Sequence, residues 1–116
     1  SRVCPPGVSP KKALEYIHTR KTGALIAASV RVGALLAGAI PPVYRGLSQY
    51  GSRIGLVFQL VDDLLDSDGT VRIYGQEHVR RKAEQLTDRA IVSLKPLGAR
   101  RQVLRELAQF ILTRES

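Results

Sequence analysis

The chain has no methionine and no tryptophan, one cysteine, two histidines, and four tyrosines with two phenylalanines as its whole aromatic content. Each scarcity excludes something. Cys4, flanked by Pro5, has no partner for an internal disulfide and cannot build a thiolate metal cluster, which fits a reducing compartment and sets a cytoplasmic location as the expectation. His18 and His78 have no ligand partner three or four residues away, so they read as ordinary surface residues rather than zinc ligands. Methionine is missing even from position 1, where Ser1 stands, so these 116 residues are expected to be a processed chain or a piece of a longer reading frame. A basic start followed by an apolar run and a small-residue cleavage site is also lacking, so these residues show no signal-peptide pattern. Long apolar runs are scarce too. The nearest, Gly23 to Ile40, owes its apolarity to Ala and Gly and carries Arg31 near its middle, a residue that costs about 2.5–3.5 kcal/mol to insert in a membrane. A buried helix of a water-soluble domain is the better reading.

What is present is an aliphatic core and an uneven charge. At 116 residues and 44% apolar the chain suits one domain. The net charge is +8, but four of the ten acidic residues, Asp62, Asp63, Asp66 and Asp68, fall within seven positions. An acidic island in a basic chain points to anionic partners: nucleic acid, an anionic membrane surface or a small phosphorylated substrate.

Periodicity predicts an all-α fold without strands. Residues 1–10 carry three of the prolines and read as a flexible tail, with Ser9-Pro10 suited to starting a helix. A short helix to about Arg20 is expected, followed by a second from Thr22 or Gly23, on which Gly23, Ala27, Val30, Ala34 and Gly38 form a small-residue stripe. Pro41-Pro42 breaks that helix and starts a long one to Asp66, stopped by Asp68-Gly69. Leu47, Tyr50, Ile54, Val57, Val61 and Leu65 share one of its faces, and Gly55, Gln59, Asp62, Asp63 and Asp66 the opposite one. Residues 67–75 read as a loop. A helix from about Gly75 to Leu94 carries Val79, Ala83, Leu86 and Ala90, and a turn at Pro96-Leu97-Gly98 leads to a last helix with Leu104, Leu107 and Ile111.

Chemistry concentrates on the long helix. Gln59, Asp62, Asp63 and Asp66 are spaced i, i+3, i+4, i+7, so they point the same way over two turns. Like charges at that spacing cost about 0.2–0.5 kcal/mol per pair, and acids in the last turns oppose the helix dipole. A divalent cation removes both penalties. Mg²⁺ suits the site because it takes carboxylate oxygens, keeps several waters and completes its shell with phosphates. Arg20 and Lys21 would then take the remaining phosphate oxygens. A solvated acidic helix end is the bland alternative. Against it, Phe58 and the apolar pairs Leu60-Val61 and Leu64-Leu65 flank the acids, so this helix is buried on most sides and its acids need partners.

The run GLVFQLVDDLLD, Gly55 to Asp66, resembles the second aspartate-rich motif of trans-prenyltransferases, the polyprenyl diphosphate synthase family. The run KTGALIAASVRVGALLAG, Lys21 to Gly38, resembles that family's Lys-Thr helix at the matching upstream spacing. The resemblance covers about residues 11–116 and implies the C-terminal part of an isoprenoid-synthase-type helical bundle, with 1–10 as a tail. It implies Mg²⁺ bound by Asp62, Asp63 and Asp66 and diphosphate bound by Lys21, Thr22 and Gln59. Lys21, Gln59 and Asp62 are then the catalytic residues, and Phe58 is a pocket wall. The implied reaction is head-to-tail condensation of isopentenyl diphosphate with an allylic diphosphate, in a homodimer or together with a chain that supplies the first aspartate-rich motif. That motif and the Gly-Lys segment usual after the second one are both missing here, so the chain alone is expected to be an incomplete site. A non-catalytic or regulatory subunit of a prenyl diphosphate synthase is the alternative. A basic nucleic-acid-binding module, suggested by Arg80, Arg81 and Lys82, fits the acidic island poorly, so no nucleic acid and no transmembrane segment are expected.

Overall fold

Pro10, Pro41 and Gly38 punctuate the first half of the chain. The computed structural model describes residues 10–66, 71 and 74–115. Helix α1 runs Pro10–Leu36 and closes in a Schellman motif: Gly38 adopts φ +70°, the Gly38 N–H donates to the Leu35 carbonyl and the Ala39 N–H to that of Ala34. Helix α2, Pro41–Asp66, begins at once, with the Tyr44 N–H reaching back to the Ile40 carbonyl at 2.9 Å. Its first two positions are prolines, whose missing N–H groups would have had no helical partner there.

The expected break between Arg20 and Thr22 does not exist; α1 is continuous through it. Gly costs a helix interior about 1 kcal/mol relative to Ala. Here that cost is offset because Gly23 lies in the contact with α2. A methyl at Gly55 would sit 2.5 Å from the Gly23 carbonyl oxygen, and one at Gly51 would sit 3.0 Å from Val30 Cβ. The small-residue stripe is thus a backbone-to-backbone crossing, with Gly23, Ala27 and Ala34 buried in it. Gly38 of the predicted stripe instead belongs to the turn.

The opposite side of α2 packs on helix α3, Gln76–Val92, through Val79, Ala83, Leu86 and Ala90, all buried as their spacing requires. The chain then turns through a 3-10 segment, Lys95–Arg101, with Gly98 at φ +62°, into helix α4, Gln102–Thr113. Ala108 and Ile111 bury themselves against α2 and α3, whereas Leu107 is exposed. The Tyr50 hydroxyl donates to the Leu104 carbonyl at 2.6 Å, and Arg53 donates to the Ser93 hydroxyl at 2.5 Å, joining α2 to α4 and to the end of α3.

Residues 67–75 are not an open loop throughout. Val71 is helical and buried, Tyr74 is helical, and the Gly75 N–H donates to the Val71 carbonyl at 2.8 Å. The rest of that stretch apart from Gly75, with Asp68, and residues 1–9 with Cys4, lie outside the described residues. Among the described residues there is no strand, and no helix is long and apolar enough to cross a membrane.

Candidate functional site

The backbone crossing of α1 and α2 positions the site. Because the two helices are antiparallel neighbours, moving one turn toward the start of α1 from Gly23 moves one turn toward the end of α2 from Gly55. The Gln59 side chain lies across Gly23: a methyl there would meet its Nε2 at 2.6 Å and the Gly55 carbonyl oxygen at 2.8 Å. The next turn of α2 carries Asp62 and Asp63, both half-buried, and Asp66 follows, exposed.

Arg20, three residues before Gly23, is an exposed residue one helical turn earlier on α1, which in the antiparallel register is the turn beside Phe58 and Gln59. Arg20, Asp63 and Asp66 are all engaged in interactions. Lys21 is placed differently. Two residues from Gly23 is roughly 160° round the helix, so Lys21 lies on the exposed side of α1 turned away from α2, with Ala24, Leu25 and Ala28. The continuity of α1 is the cause, since a break after Arg20 would have freed Lys21 to turn. The Thr22 hydroxyl donates to the His18 carbonyl at 2.9 Å, one turn back in its own helix. Of the residues singled out from sequence, the structure brings Gln59 onto the Thr22-Gly23 turn, with Asp62 and Asp63 on the next turn of α2 and Arg20 one turn earlier on α1, and leaves Lys21 on the other side of α1.

Phe58 is half-buried against the core cluster, with Arg114 over its ring at 4.2 Å from guanidinium carbon to centroid. Arg114 Nη2 also donates to the Phe58 carbonyl at 3.2 Å and pairs with Asp62 Oδ1 at 3.9 Å. Sequence reasoning missed Arg114. It stands 52 positions after Asp62, beside Glu115 in a stretch with no charge pattern of its own, and no periodicity links the two.

Among the described residues no group of three or more His, Cys, Asp or Glu side chains closes around a metal position. The donor chemistry nevertheless suits Mg²⁺: hard carboxylate oxygens in a row, two half-buried and one exposed, leave room for the waters and phosphate oxygens that this ion keeps. One open helix face can hold part of such a shell.

The comparisons with known proteins agree with one another. A family model described as polyprenyl synthetase matches residues 7–106. The chain is 39% identical to farnesyl diphosphate synthase of Escherichia coli (strain K12) over 132 aligned residues, covering 90% of this chain and 43% of the relative. It is 35% identical to dimethylallyltranstransferase of Fischerella ambigua, covering 87% of this chain and 35% of that one. A crystal structure of a candidate farnesyl-diphosphate synthase from Marinomonas sp. MED121 superposes with a TM-score of 0.74 at 35% identity, over 92% of this chain and 41% of that chain. The chain thus spans less than half the length of these relatives. The 132-residue alignment is longer than the chain itself, so the Escherichia coli protein has residues inside the matched span that this chain lacks.

Proposed function

Given that the chain belongs to the polyprenyl synthetase family, we propose that it carries the metal and diphosphate half of a prenyltransferase site. The reaction is the condensation of isopentenyl diphosphate with an allylic diphosphate. In it the allylic C–O bond breaks, a C–C bond forms to the isopentenyl alkene, and that unit loses a proton. The observation that carries this reading is the crossing at Gly23 and Gly55, which lays the Gln59 amide on the Thr22-Gly23 turn one helical turn before Asp62 and Asp63.

Asp62, Asp63 and Asp66 would hold Mg²⁺, whose chemistry there is neutralisation of the departing diphosphate. The Gln59 amide donates to a phosphate oxygen, and Arg20 adds a guanidinium from the neighbouring turn of α1. Lys21 supplies charge from the outer side of α1, and Thr22 fixes the turn between them. Phe58 closes the base of the aspartate turn. A second acidic face, from the segment that holds the family's first aspartate-rich motif, completes the site, either in one polypeptide or between chains.

Calorimetry tests this directly. Mg²⁺ and an allylic S-thiolodiphosphate should each bind more tightly in the presence of the other, and the mutual enhancement should vanish in the Asp62→Asn, Asp66→Asn double variant. Equal binding of the analogue with and without Mg²⁺ would overturn the reading. The alternative of a non-catalytic subunit draws on the short span relative to the synthases. It requires that co-expression with a full-length synthase gives a stable complex with altered product length.

A further inference from the structure

Arg114 lies one residue beyond the end of α4 and yet reaches the first residue of the aspartate row. Its side chain is only 12% exposed, while that of Asp62 is 28% exposed. The contacts around the guanidinium include the Phe58 ring beneath it, the Phe58 carbonyl that accepts from Nη2, and the Asp62 carboxylate at 3.9 Å. The first two do not depend on Asp62. They place a planar cation at ion-pair distance from one carboxylate oxygen of the first aspartate, a charge supplied from outside that residue's own helix.

We infer that Arg114 is a positioning residue for Asp62: docked on Phe58, it sets the direction in which the Asp62 carboxylate presents its oxygens to a metal-bound diphosphate. The inference rests on the reading of Asp62 as a metal ligand. A charged donor that orients a ligating carboxylate is a recurrent support of metal sites. A lysine is a poor substitute, because stacking on a ring and directing a second N–H at a carboxylate require a planar fork. The extended residue that follows α4 is thereby tied to the aspartate motif, more than fifty residues earlier.

The test uses the 116-residue chain, Mg²⁺ and an allylic S-thiolodiphosphate, with affinity read by calorimetry. Arg114→Gln, and a chain ending at Thr113, should each weaken Mg²⁺-dependent binding of the analogue about tenfold. Arg114→Lys should not restore it. In an Asp62→Asn background the Arg114→Gln change should have no further effect, which a merely structural role for Arg114 would not produce. Thermal melts in metal-free buffer confirm that each variant is folded, and Arg114→Lys, which keeps the aliphatic stem, serves if Arg114→Gln does not fold. Metal-dependent binding by the unaltered chain that Arg114→Gln leaves intact, or a tenfold loss that persists in the Asp62→Asn background, would overturn the role of Arg114 alone. Absence of metal-dependent binding in the unaltered chain would overturn the parent reading with it.

Discussion

Val61 and Asp62 are adjacent in sequence and opposite in surroundings. Val61 is 3% exposed in the core between α2 and its neighbours, whereas the Asp62 side chain is 28% exposed beside Arg114. Val61→Asp buries an uncompensated charge and should cost about 3–5 kcal/mol. Asp62→Asn removes a partly solvated partner and should change stability by no more than about 0.5 kcal/mol. Urea melts of both variants without metal check this, and an Asp62→Asn protein that unfolds far earlier would make the aspartate a structural residue. Tyr50 gives a pH-dependent counterpart. Burial pushes its hydroxyl up to about 12 from an ordinary value of 10.0. The folded state therefore holds that proton more tightly than the unfolded one, so the stability it contributes is whole below pH 10 and is lost as pH rises towards 12. Tyr50→Phe should flatten this alkaline decline while costing about 1 kcal/mol at neutral pH, because the Leu104 carbonyl loses its donor. Melts from pH 8 to 12 measure both effects.

At the scale of elements, the crossing of α1 and α2 is the sensitive joint. Gly55→Ala drives a methyl into backbone atoms of Gly23, which cannot rotate aside as a flexible side chain would. It should destabilise the fold by about 1–3 kcal/mol. It should also weaken metal-dependent analogue binding, since Gln59 and the Thr22-Gly23 turn are forced apart; denaturant titration and calorimetry on one sample separate the two losses. The bounds of α2 and the buried row of α3 were legible in the sequence because Pro41-Pro42 and strict apolar spacing act within a few residues. The aspartate row was legible for the same reason. The continuity of α1 was not, because it depends on what lies across from Gly23, and the local signals of Thr22 and Gly23 argue weakly against a helix. The helical turn at Val71 was hidden likewise: a β-branched residue between Gly69 and Gly75 resembles a loop until its burial is known. Arg114 was beyond reach, since its partners Phe58 and Asp62 are fixed by tertiary packing alone.

The whole molecule is a slab of 47 × 29 × 19 Å, about two helix diameters thick. Its radius of gyration of 15.3 Å exceeds the roughly 13 Å expected of a compact domain near this size. Leu25 is 65% exposed on α1 and Phe110 67% exposed on α4, as in one layer of a thicker bundle, and the 43% coverage of the Escherichia coli relative has the same sense. These 116 residues alone should therefore not condense isopentenyl diphosphate with an allylic partner, even in saturating Mg²⁺. One acidic face neutralises only part of a departing diphosphate, and an open slab admits water to the allylic cation. A radiolabelled isopentenyl assay checks it, with activity expected only when a segment bearing a second aspartate-rich motif is added; turnover by the slab alone would refute the half-site description. The joint between α1 and α2 has a thermal consequence as well. Two glycines meeting through peptide groups have no rotamers to freeze on folding and none to melt on warming. The width between the helices is consequently a matter of bond lengths and atomic radii. Drift among the surrounding leucines and valines can raise or lower the melting temperature while the gap that seats Gln59 keeps its dimension.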